Sequence, residues 1–87
     1  MKIMLTTERG LPLALSNLII RKGMSVYDIT DAIEDAVDAG LSAKRIANIV
    51  NGLKLDTKFE ADREKDDVIR LRGRDVFGNV RYMIIRK

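Results

Sequence analysis

The chain has 87 residues and a mass of 9.8 kDa, the size of one small domain, since domains typically run to about 100–150 residues. Apolar residues make up 46% and charged residues 33%, near globular averages, which excludes wholesale disorder. The net charge is +3, and there is neither Cys nor His, which removes disulfides, thiol chemistry, imidazole metal sites and Ser-His-Asp catalysis.

No apolar run approaches the roughly 18–20 residues of a membrane span. The longest near the N-terminus, 11–20, is broken by Pro12, Ser16 and Asn17 and lacks the flanks of a signal peptide. The expectation is a cytoplasmic chain with no membrane role. Glycines never cluster into a phosphate-cradling loop. The one dense carboxylate group, Glu60, Asp62, Glu64, Asp66 and Asp67, is interrupted by Arg63 and Lys65 and reads as a solvated connector rather than a Mg²⁺ site. No enzyme activity, cofactor or metal is expected.

In chain order, 2–6 suits a short strand. Pro12 then suits the first turn of a helix over about 11–22, with apolar Leu11, Leu15, Leu18 and Ile19 and a stop at Gly23. A clearer helix covers about 26–39. Ser25 and Asp28 form an acid-terminated capping box, Val26, Ile29, Ile33, Ala36 and Val37 share one face, and Asp28, Asp31, Glu34, Asp35 and Asp38 lie opposite. Gly40 ends it and Ser42 caps a third helix over about 43–52, with Ile46, Ile49, Val50 and Leu53 as its apolar face. After the charged connector, residues 68–72 and 80–84 alternate around a turn rich in Gly, Asp and Asn, predicting a basic β-hairpin over about 68–85.

Charge is unevenly spread. Residues 24–41 hold five acids and no base, whereas residues 68–87 hold six bases against Asp75 alone. Blocks of one sign point to a partner of the other sign.

Ala36, Gly40, Leu41, Ile46 and Ile49 follow the helix-turn-helix pattern of a small residue, a turn glycine, an apolar residue and two apolar anchors. With a hairpin just after the third helix, the chain resembles winged helix-turn-helix DNA-binding domains. The resemblance implies an α+β fold, with a three-helix core followed by a C-terminal hairpin and a possible N-terminal strand. It also implies a transcriptional regulator that binds duplex DNA. Its recognition helix would be 42–51, presenting Ser42, Lys44, Arg45, Asn48 and Asn51. Arg70, Arg72, Arg74 and Arg81 would be the wing on phosphates or in the minor groove. Two features depart from the family. Asp35 stands where an apolar side chain is usual, and the acids of the second helix would oppose phosphate unless they face away.

The alternative is a protein-binding adaptor or inhibitor resembling small accessory proteins of bacteriophages and mobile elements. Asp28, Asp31, Asp35 and Asp38 would then face a basic partner, with Phe77 as a further contact. Phe77 beside Val76 at a loop tip reads as a wedge, a partner contact or a fold-back into the core, the last two favoured. RNA binding is the weakest reading, because Tyr27, Phe59 and Tyr82 have packing roles open to them. Ile84 and Ile85 point to opposite faces of one strand, which calls for cover either from Ile3 and Leu5 as a third strand or, failing that, from a homodimer through the hairpin or first helix.

Overall fold

The computed structural model describes residues 1–87. Five strands form an antiparallel sheet: β1 (Lys2–Thr7), β2 (Pro12–Leu13), β3 (Thr57–Glu64), β4 (Val68–Asp75) and β5 (Val80–Arg86), in the order β2-β1-β5-β4-β3. Two helices, α1 (Val26–Asp38) and α2 (Ala43–Gly52), lie on one side of it. The fold is α+β, but it is not a three-helix core with a hairpin, and the winged-helix architecture is corrected accordingly.

Two segments account for the difference. Residues 11–22 form no α-helix. Gly10 turns the chain at φ 89°, Pro12 enters the short edge strand β2, and only Leu15–Leu18 makes a 3-10 turn. An edge strand tolerates a proline because its missing N–H faces away from the ladder. Residues 57–64 are not a connector. Thr57, Phe59 and Ala61 alternate with Lys58 and Glu60, a period of two that the density of charge hides.

The core is sorted by that period. Leu5 of β1, Phe59 of β3, Ile69 and Leu71 of β4, and Met83 and Ile85 of β5 point to the helices. They meet Ile29, Ile33 and Ala36 of α1 and Ala43, Ile46, Ala47 and Val50 of α2. Gly73 lies beneath Phe59, and a Cβ there would fall 2.9 Å from the ring. The helix pair is set by the turn at Gly40 (φ 73°). Leu41 N–H donates to Ala36 O over 3.1 Å and Gly40 N–H to Val37 O over 2.9 Å, a Schellman closure that only a residue free in the left-handed region accommodates well.

A bulge between Ala61 and Arg63 shifts the register of β3 by one residue. The shift exchanges the two faces beyond it. Arg63 therefore joins Arg70 on the side away from the helices, and Glu64 points toward them. There the Glu64 carboxylate accepts the Ala43 N–H at 2.7 Å, answering one of the free donors at the start of α2. Replacing Glu64 with Ala should cost about 1 kcal/mol of stability, read from the urea midpoint. An unchanged midpoint would mean that this cap contributes nothing.

Candidate nucleic-acid interface

The side of the sheet away from the helices has no helix packed on it. Cross-strand pairing places on it the rows Met4–Ile84–Arg70–Arg63, Thr6–Tyr82–Arg72–Glu60 and Val80–Arg74–Lys58, with Lys2 opposite Arg86 at one end. A half-buried apolar strip of Met4, Tyr82 and Ile84 runs down its middle, with Val80 buried at its end. Around the strip stand seven bases, Lys2, Lys58, Arg63, Arg70, Arg72, Arg74 and Arg86, against the acids Glu60 and Asp62.

Three of the cross-strand pairs on this face join like charges: Lys58 with Arg74, Arg63 with Arg70, and Lys2 with Arg86. Like charges directly opposite destabilise a sheet. Only one of the seven bases forms an ion pair. Arg70 Nε meets Asp62 Oδ2 at 2.6 Å, and its guanidinium lies 5.0 Å from the centre of the Tyr82 ring. Near the β3–β4 turn, Arg63, Lys65, Arg70 and Arg86 converge on a depression of about 190 Å³ floored by Val68 and Ile84. No acid lines it.

The four hairpin arginines expected to act together are divided. Arg70, Arg72 and Arg74 share the uncovered face, whereas Arg81 faces the helix side. Its guanidinium bonds Asp56 at 3.1 Å and Asp75 at 3.2 Å.

Asp75 is an organising group. Its side chain is 1% exposed and accepts the N–H groups of Phe77 at 2.9 Å and Asn79 at 2.8 Å, and the Asn79 amide at 3.2 Å. Burial pushes this carboxyl up, but the Asn79 backbone and side chain, the Phe77 N–H and Arg81 together outweigh it and hold the group below its ordinary 3.8.

On α2, Ser42 caps the helix by accepting the Arg45 N–H at 3.3 Å. Lys44, Arg45 and Asn48 are exposed. Asn51 is engaged elsewhere, its amide donating to Phe59 O and its carbonyl accepting Phe59 N–H, each at 2.8 Å. It substitutes for a neighbouring strand at the outer edge of β3, which leaves less of that edge for strand addition.

On α1, Asp28, Asp31, Glu34, Asp35 and Asp38 are all exposed. Asp28 accepts the Ser25 N–H at 2.7 Å, so one of these acids is accounted for by capping. Phe77 does not fold back, for it is 86% exposed and Val76 70%.

Lys2, Lys58, Arg63 and Arg86 were not among the residues that the sequence singled out. The alternation of 57–61 was the available signal for Lys58. Arg63 also needed the bulge, and Lys2 and Arg86 needed the β1–β5 pairing. The five carboxylates of 60–67 do not converge, because alternation and the bulge distribute them, and no acid cluster suited to a metal is present. No helix is long and apolar enough to cross a membrane. No family model, curated protein or solved structure matches the chain.

Two outcomes follow from these bonds. Replacing Asn51 with Ala should cost about 1–3 kcal/mol, because it strips partners from two backbone groups at the buried Phe59, with the loss read by urea unfolding. The Asp75 contribution has a definite pH sense. A carboxyl depressed in the folded state stabilises fully above its unfolded value and loses that effect as pH falls below about 3.8 and through its lower folded value. Asp75→Ala should therefore lower the melting temperature at pH 7 and narrow the gap from wild type under acid. A gap that stays constant down to about pH 2 would refute this role.

Proposed function

We propose that the protein is a non-catalytic DNA-binding module that holds the phosphate backbone of duplex DNA on the uncovered face of its sheet. The observation that carries this reading is the set of three like-charged cross-strand pairs on one unshielded surface. In the free protein the Lys58–Arg74 and Lys2–Arg86 pairs are repulsive with no acid bonded to them, while Asp62 offsets Arg70 in the third, and a polyanion laid across the first two would turn each into two favourable contacts. Residues that cost stability without a local gain are characteristic of functional surfaces.

Geometry supports backbone contact over base reading. Five strands about 4.8 Å apart make a surface near 20 Å wide, too broad for a major groove of about 12 Å. The exposed side of α2 belongs to the opposite layer, so one straight duplex cannot touch Lys44 and Asn48 while lying on Arg70, Arg72 and Arg74. The sheet face carries the larger charge, and it is the surface we assign.

A second reading, a protein-binding adaptor, is favoured by α1 alone, where five exposed carboxylates have no base among them. It requires the aspartates and not the arginines.

The discriminating experiment is fluorescence anisotropy of a mixed-sequence duplex at about 50 and 200 mM salt. Wild type should lose tenfold or more in affinity over that range. Removing Arg72, Arg74 and Arg86 together should flatten the salt dependence, by about one unit of slope for each phosphate no longer neutralised. Lys58→Glu is sharper, since it opposes an acid to Arg74. It should raise stability by about 0.2–1 kcal/mol while weakening DNA binding. If neutralising Asp28, Asp31, Asp35 and Asp38 abolishes function and the arginine changes do not, the adaptor reading stands instead.

A further inference from the structure

The β4–β5 turn presents the most exposed large apolar pair in the molecule, Val76 at 70% and Phe77 at 86%. It is also a firmly built turn. Asp75 N–H donates to Asn79 O and Gly78 N–H to Asp75 O, both at 3.0 Å. The buried Asp75 carboxylate holds the Phe77 and Asn79 amides, Gly78 takes φ 85°, and Arg74 donates to Gly78 O at 3.0 Å. None of these bonds uses the side chain of residue 77, so a polar residue there would serve the turn equally well. The ring is held out in solvent by a scaffold that needs nothing from it.

Its surroundings indicate what it meets. Val76 forms part of a depression of about 530 Å³ that Lys58, Arg72 and Arg74 also line. Two of the three carboxylates there, Asp56 and Asp75, are bonded to Arg81, which leaves Glu60 as the one acid without an ion pair. An apolar tip is thus continuous with unpaired bases. Apolar wedges beside phosphate-binding arginines are how architectural proteins unstack a base step and kink a duplex. A preformed turn adds little further ordering cost on binding.

We propose that Phe77, supported by Val76, is such a wedge, inserting its ring between neighbouring base pairs of a duplex held by Lys58, Arg72 and Arg74. This rests on the DNA-binding reading above and adds a deformation of the DNA to it.

The test uses the full chain and a short duplex with a donor and an acceptor dye at its two ends. Anisotropy reports binding and energy transfer reports bending. Wild type should bind with strong salt dependence and raise the transfer efficiency. Phe77→Ala, whose removed ring is exposed and whose fold is checked by circular dichroism, should keep the salt slope. It should lose several-fold in affinity and leave the duplex straight, whereas Phe77→Trp should restore bending. Salt-dependent binding with no bending, or bending that survives Phe77→Ala, overturns the wedge and leaves the sheet-face reading intact. Absence of duplex binding by wild type overturns both. Phe77-dependent binding to vesicles containing anionic phosphatidylserine, with duplex binding unaffected by Phe77→Ala, assigns the tip to a lipid surface and also overturns the wedge.

Discussion

Every side chain of β4 and β5 is committed by the pleat to one of two faces, and the rest of the molecule depends on that sorting. Ile69, Leu71, Met83 and Ile85 face the helices and are fully buried. Together with Leu5 they are a large part of the apolar area that keeps so short a chain folded. The same alternation sends Arg70, Arg72, Arg74 and Arg86 the other way. A one-residue slip would bury four guanidinium groups and expose the core, so register is fixed by burial alone. The basic face is therefore the reverse side of the hydrophobic core, and it keeps its geometry for as long as the core holds.

The helices are tied to this sheet by polar contacts at both ends of α2. Glu64, turned inward by the bulge in β3, receives the N-terminus of the helix, and Asn51 near its C-terminus binds both backbone groups of Phe59. One consequence is electrical. With α2 packed against β3 and α1 packed on α2, the five acids of α1 belong to the helical layer and the seven bases to the opposite side of the sheet. Opposite charges that would partly cancel if intermixed are held apart, the bases on the uncovered side of the sheet and the acids of α1 in the helical layer.

Much of this was legible in the sequence, though unevenly. Long periodic segments with caps gave α1 and α2 to within a residue or two of their ends, and the alternation of β4 and β5 was plain. The stretch 11–22 misled because Leu11, Leu15, Leu18 and Ile19 happen to sit at helical spacing. Pro12 fits an edge strand as well as a first helical turn, and tertiary pairing of β2 with β1 decided between them. The strand 57–64 was concealed by its charge, and its bulge depends on pairing that no local pattern specifies. Asn51 illustrates the limit for function, since a polar residue at the end of a helix looks the same whether it meets a base or a neighbouring backbone. Alternation within 80–84 does not say which face meets the helices, so Arg81 reads with the other hairpin arginines until the β4–β5 register separates it, and the acids that claim it, Asp56 and Asp75, were brought to it only by the fold.

The proposal that duplex DNA meets the sheet, and not α2, is tested most directly by mapping contacts residue by residue. A titration of isotope-labelled protein with duplex DNA, followed by NMR at backbone amides and arginine Nε–H groups, does so without altering the chain. The shifts should gather on Lys2, Lys58, Arg63, Arg70, Arg72, Arg74 and Arg86, while Lys44, Arg45, Asn48 and the acids of α1 stay in place. Shifts concentrated on α2 with the sheet arginines unmoved would contradict the assignment.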